Sequence, residues 1–350
     1  MSRPQNTTVL LFICGVTIVL LLMALSRCSN QTVQTSHQML DGQLLEDKLS
    51  GSKTDMNGGS FVNPKHESQF SPAVMKFGGK VIRKQNGNWN LLDNVCETKD
   101  DYILSYLKKP NVIPIYVYPS NVDAIISNAV RKSGGYEIGY MTMIYDLMKK
   151  NPDATFVDIG ANIGVFSLTA ASAGNPVISV DCIKANVYRV CAAMKKANFM
   201  DRVTVVHNAV SDKHENVTLI RTKENVGGTF IKNYEPSLKT SYQTNETINT
   251  ILLEEILEIA PLKSVILKID AEGAEADILA GGENFFKKVF VKYLLLEVLF
   301  QRNKPGGQFI FDFLKRHNME IIYPRAGKGN FDPNNIKTWY TVLLKNKNIN

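Results

Sequence analysis

TFVDIGANIG, residues 155–164, carries the reading of this chain. TFVDI has the composition of a buried strand, and Gly160-Ala-Asn-Ile-Gly164 follows it directly. Glycine turns the backbone sharply and leaves no Cβ between it and a close neighbour. VFSLTAASAG then reads as a short helix closed by Gly174, and VISVD as a second strand ending on Asp181, 21 residues after Gly160. An acid at that point suits the hydroxyls of a ribose. Two glycines after a strand make a tight strand–helix turn whether or not a ligand is present. It is strand, Gly-x-x-x-Gly, helix, strand and terminal acid together that point to a nucleoside.

Outward from this stretch, helix and strand signals alternate. Met141, Ile144, Tyr145 and Met148 recur at helical spacing over 138–148, as do Ile183, Val187, Val190, Cys191 and Met194. VTVVHNAV reads as a third strand, 250–259 as a helix, SVILKID as a fourth strand and AEADILAGG as a helix stopped by paired glycines. VKYLLLEV is a fifth strand, a helix follows near 308–316, and MEIIYP and TWYTVLL are the last two strands. Residues 76–93 predict a hairpin turning at Asn86-Gly87. The central strands are almost continuously apolar, as in a parallel sheet covered on both faces. The expectation is a doubly wound α/β domain.

In such a sheet the ligand sits beyond the carboxyl ends of the strands. A dinucleotide loop would place glycine where Asn162 stands, and no triphosphate-binding loop with its Lys-Ser/Thr is present. Asp158, read as lying at the loop mouth, repels phosphates and suits a cation. A ligand with a ribose, a positive charge and no phosphate is S-adenosylmethionine. Its expected contacts are Asp158, Gly160, Asn162, Gly164 and Asp181, with Asn208 against the adenine edge at the end of the third strand. The neighbouring His207 reads as a structural histidine.

VDIGANIGVFS (157–167) and LKIDAEGAEADILAG (267–281) resemble the two signature blocks of the FkbM-type methyltransferases, and the likeness extends over roughly 120–345. The resemblance implies the seven-stranded Rossmann-like methyltransferase fold and S-adenosylmethionine-dependent O-methylation. Two departures stand out. Asp181-Cys182 replaces the Glu-Pro common in the family, and 221–249 matches no family pattern, so acceptor contacts there are unassigned.

Methyl transfer needs alignment of an acceptor oxygen, and a weakly nucleophilic hydroxyl benefits from a base. Asp270 and Glu272, at the end of the fourth strand, are the candidate catalytic acids, with Glu297 a third, at the end of the fifth. Acids also simply suit a helix start, which is the reading for Glu275. Asp158, Asp270, Glu272 and Glu297 can in principle gather Mg²⁺ or Ca²⁺, but their spacing does not demand it, and no metal ligand is assigned.

The N-terminus bears on location. Residues 1–8 read as a short cytoplasmic tail. Residues 9–26 are uncharged, near the ~20 residues of a spanning helix, and read as a signal anchor; the alternative is a signal peptide cleaved near Ser26. Residues 27–75 read as a flexible stem and 76–350 as a lumenal catalytic domain. Asn30, Asn216 and Asn245 head glycosylation tripeptides. Of five cysteines, Cys96, Cys182 and Cys191 lie in the body, where one disulfide is allowed; Cys182 and Cys191 read as small core residues. The net charge is +7, but Lys and Arg are scattered without a basic tract, which argues against nucleic acid as a partner. The layout predicts a single-pass type II Golgi membrane protein that methylates a hexose or fucose hydroxyl of a glycan or glycoprotein. Rival readings are a small-molecule or lipid O-methyltransferase, and a tethered binding domain without turnover.

Overall fold

A computed structural model describes residues 78–231, 241–324 and 331–349. The expected tail, anchor and stem lie outside these residues. Among the described residues, no helix is long and apolar enough to cross a membrane.

One large sheet organises the molecule. Its centre is formed by β5 (Thr155–Ile159), β6 (Val177–Asp181), β7 (Val203–His207), β12 (Ser264–Ile269) and β13 (Phe290–Glu297). All five run parallel in the order β7-β6-β5-β12-β13. Beyond β13 lies the antiparallel strand β15 (Thr341–Asn346), and then β14 (Met319–Pro324) forms the edge. These seven strands fulfil the expected count, yet among the described residues the sheet has nine. The hairpin β1 (Val81–Gln85) and β2 (Asn88–Leu91) turns at Asn86 and Gly87, both at positive φ, and β1 pairs in parallel with β7. The separate pair β3 (Ile103–Leu107) and β4 (Ile113–Val117) is antiparallel.

Continuous apolar runs form the central strands because both faces are covered. Phe156 and Ile266 point into one core with Met141, Leu168 and Val190; their neighbours Val157 and Leu267 point into the other with Ile278, Phe285 and Phe313. Every residue of β5, β6, β7 and β12 is buried. Each fully buried aliphatic side chain contributes about 1.5–3 kcal/mol. The helices Ile138–Lys150, Val165–Ser172, Lys184–Lys196, Glu275–Ala280 and Pro305–Arg316 appear where the periodicity predicts.

Three expectations are corrected. The third strand does not run through VTVVHNAV: it breaks at Asn208, and β8 (Ala209–Ser211) joins a second sheet. That sheet contains β9 (Asn216–Thr222), β10 (Asn225–Ile231) and β11 (Ser241–Leu252) in the order β10-β9-β11-β8. Residues 250–259 are not an α-helix, because β11 runs to Leu252 to pair with β8 and only the short 3₁₀ turn Leu253–Glu258 follows. Cys191 is not an unpaired core residue: it forms a disulfide with Cys96, 95 positions away and 4.8 Å between Cα atoms, and Cys182 is the free thiol among the described residues.

Candidate functional site

β6 lies on one side of β5 and β12 on the other, so the chain's crossovers diverge at β5 and open a cleft beyond its carboxyl end. The cleft is bounded by Gly160 and Asn162 from the β5 loop, Asp181 and Cys182 from the β6 loop, and Asp270 and Glu272 from the β12 loop. Glu297 at the end of β13, Glu137 before the helix Ile138–Lys150, and Gly227, Thr229, Phe230 and Ile231 of β10 complete its walls.

The glycine at 160 is required by a neighbouring loop. At φ +79°, a Cβ there would lie 1.8 Å from the Asp270 carbonyl oxygen. Gly160 therefore lets the β5 and β12 loops pack directly on each other. Gly164, at φ +88°, starts the following helix against Val190. Asn162 holds φ +51°, and its side-chain oxygen accepts from the Ile163 N–H at 2.7 Å. Its own backbone N–H donates to Asp181 Oδ2 at 2.8 Å, while Asp181 Oδ1 accepts from the Ile183 N–H and the Asn186 amide. Asp181 thus clamps both loops, and burial pushes its carboxyl up to about 6.

Asp158 departs from expectation. It is fully buried behind the loop, not at its mouth. The Ser167 hydroxyl donates to its Oδ2 at 2.7 Å, and Lys268 Nζ stands 3.3 Å from Oδ1. Lys268, missed in the sequence, also stands 3.3 Å from Asp270 Oδ2 and donates to the Gly160 carbonyl at 3.2 Å. Asn208 also departs from expectation. It lines the cleft, but its amide donates to the Lys84 and Asn249 carbonyls and accepts from the Lys84 N–H, so its side chain stitches β1 to β11. His207 is structural: its Nε2 faces the Cys182 carbonyl at 3.2 Å, and burial lowers it to about 4.

The candidate catalytic acids do converge. Asp270, its side chain 35 % exposed, hydrogen-bonds Glu297. Burial, then the charge of Asp270, pushes both Glu272 and Glu297 well above the usual carboxylate range. Glu275 is buried and accepts from the Ala271 and Gly273 N–H groups, bracing the loop, with its carboxyl pushed up to about 7 by burial. Three non-glycine residues at positive φ line this cleft, Glu137, Asn162 and Glu272, the kind of backbone strain that gathers at functional sites.

One property dominates. Among the described residues lining the cleft are five carboxylates, Glu137, Asp181, Asp270, Glu272 and Glu297, and no Lys, Arg or His.

Part of the sequence matches a family model. Residues 158–321 match the model described as "Methyltransferase FkbM domain". This segment is an FkbM methyltransferase domain. The matched segment runs from Asp158 into β14, ending at Ile321, so it contains the three strand-end loops of the cleft, whereas Glu137 lies before it. No curated protein matches the sequence.

Among solved structures, an O-methyltransferase from Bacillus cereus in complex with SAH is 13 % identical, covering 59 % of this chain and 79 % of that one at a TM-score of 0.35. A putative RNA methyltransferase from Pyrococcus horikoshii is 17 % identical, covering 63 % and 86 % at 0.33. A SAM-dependent methyltransferase from Agrobacterium tumefaciens is 10 % identical, covering 74 % and 72 % at 0.36. The fold assignment rests on the sheet itself, and the family on the sequence match.

Proposed function

We propose that this protein is an S-adenosylmethionine-dependent O-methyltransferase acting on a sugar hydroxyl, of a hexose or fucose, in glycans of the secretory pathway. The observation that carries the reading is that every charged side chain among the described residues lining a cleft at the carboxyl ends of β5, β6, β12 and β13 is an acid. Those acids fit a cationic nucleoside and repel a phosphate-bearing one. When bound, the cofactor supplies a methyl group on a sulfonium, transferable in line to an oxygen.

The residues then divide the work. Asp181 has acceptor capacity beyond its three protein partners for ribose hydroxyls. The Gly160 loop and the β12 loop form the floor. Asp270 takes the proton from the acceptor hydroxyl onto a carboxylate oxygen, and Glu297, held protonated, donates its hydrogen bond to Asp270. Glu272 lies beside them to orient the acceptor. The β10 wall, from the segment without a family pattern, supplies Thr229 and Phe230 toward the acceptor side. Among the described residues no group of three or more His, Cys, Asp or Glu is arranged to hold a metal ion.

Location is supported by the Cys96–Cys191 disulfide, which suits an oxidising compartment, and by the exposure of Asn216 and Asn245, the asparagines of two glycosylation tripeptides. The proposed arrangement is a Golgi membrane protein with the catalytic domain in the lumen and a glycan or glycoprotein as partner. The test is to express the full chain in secretory cells and weigh released glycans and extracted lipids. One added CH₂ on a neutral hexose or fucose, absent with Asp270→Asn, supports the proposal. Methylated lipid with unmodified glycans overturns the acceptor assignment.

A further inference from the structure

Lys268 is a lysine inside an apolar strand, β12, whose six residues are all buried. A buried cation demands partners, and Asp158 directly opposite in the register would by itself satisfy that demand. Yet Nζ reaches further. It meets Asp158 Oδ1 and Asp270 Oδ2, each at 3.3 Å, and the Gly160 carbonyl at 3.2 Å, with the Phe166 ring centroid 5.4 Å away. Its partners therefore belong to the β5 strand, the glycine loop and the acid-bearing loop. Among the described residues Asp158 Oδ1 accepts no hydrogen bond, so the ion pair with Lys268 is what balances its charge.

We propose that Lys268 is a positioning residue that locks the glycine loop to the acid cluster and keeps that cluster negatively charged toward the cationic cofactor. The proposal rests on the cofactor reading above. The groups facing the cluster are Lys268 from β12, Asp158 from β5, Glu272 and Glu275 from the β12 loop, and Glu297 from β13, with Glu137 and Asp181 across the cleft. Lys268 is the one cation among them. Burial, Asp270 and Glu275 push Glu272 toward protonation, and Lys268 opposes them. Burial and the surrounding acids raise Glu297 in the same sense. With the cation gone, the cluster takes up protons at higher pH, and a neutral cluster no longer favours a ligand with an extra positive charge.

S-adenosylmethionine and S-adenosylhomocysteine differ by that charge, so their affinity ratio reads the cluster without any turnover. Calorimetry with both ligands on the full-length protein, from mildly acidic to mildly alkaline pH, tests the proposal. Lys268→Met alone leaves Asp158 buried and unpaired. The informative variant is therefore Asp158→Asn/Lys268→Met, which removes both charges of the buried pair, with Lys268→Arg as the conservative replacement.

The unaltered protein should favour S-adenosylmethionine and lose that preference as pH falls. In the double variant the loss should move upward by about one pH unit, lowering the ratio on the order of tenfold at the midpoint. Lys268→Arg should restore the original profile. A double variant that unfolds cooperatively and keeps the original ratio at every pH would overturn the role of Lys268 while leaving the cofactor reading intact. Failure of the unaltered protein to bind either ligand would overturn both.

Discussion

Replacing Gly160 by alanine is the sharpest perturbation of the loop contact that builds the cleft. The added Cβ would stand 1.8 Å from the Asp270 carbonyl oxygen and 2.8 Å from its carbon, both backbone atoms that cannot swing away. Two costs add. Holding an L-residue in left-handed backbone, here φ +79°, costs roughly 1–2 kcal/mol. Forcing extra volume into a packed contact adds about 1–3 kcal/mol. Gly87 separates the two, since it has φ +78° in the hairpin turn and nothing within 4 Å of its virtual Cβ. Gly87→Ala should therefore show only the conformational cost, and Gly160→Ala should be less stable by a further 1–3 kcal/mol or about that. Each kcal/mol lowers the thermal midpoint by about 2–4 °C in a domain of this size. The assay is chemical and thermal unfolding of both variants, with calorimetry of S-adenosylmethionine. Equal stability of the two, with undiminished cofactor affinity in Gly160→Ala, would refute the packing of the β5 loop on the β12 loop.

Three further outcomes are expected. Reducing the Cys96–Cys191 disulfide, or replacing both cysteines by serine, should cost about 2–5 kcal/mol, read as a lower unfolding midpoint with reductant. Asn208→Ala should destabilise by about 1–3 kcal/mol for each buried backbone group left without a partner, while leaving cofactor affinity unchanged by calorimetry; a selective loss of affinity would restore its adenine role. Asp181 and Glu275 titrate at about 6 and about 7 in the folded protein, above their ordinary values of 3.8 and 4.5. The folded state therefore binds more protons than the unfolded one between those limits. Stability should fall as pH rises through this window, and Glu275→Gln should flatten the slope of midpoint against pH.

The sheet was readable because its signals are local. TFVDI and SVILKI are mostly apolar, the helix after the first closes just before Gly174, and the helix after the second closes at Gly281, as the sequence suggests. The hairpin turn was equally plain, but its docking onto β7 depends on a partner more than a hundred positions away. The second sheet was opaque for the same reason. β8 pairs with β11 and β11 with β9, so residues 221–249 make sense only once those strands are side by side.

The site was legible by residue type and misjudged in depth. Asp270, Glu272 and Glu297 were identified and do converge, because strand ends on neighbouring parallel strands must meet at one edge. Asp158 reads from the sequence as lying at the loop mouth, because it stands at a strand end before the glycine loop; it lies opposite Lys268 in the register and is buried with it. The clue was Lys268 itself. A lysine in SVILKI is hard to bury without an acid, and the nearest strand offers Asp158. Asn208 misled because VTVVHNAV reads as one strand, whereas its amide ties the break between two sheets. Glu137 lies outside both signature blocks, with no local signal beyond its position before a helix.

The measurement that bears most directly on the account is a crystal structure of the protein with S-adenosylhomocysteine. The prediction is ligand density in the cleft bounded by Gly160, Asp181 and Asp270, with Lys268 still seated between Asp158 and Asp270. Density elsewhere on the molecule, with that cleft free of ligand, would contradict it.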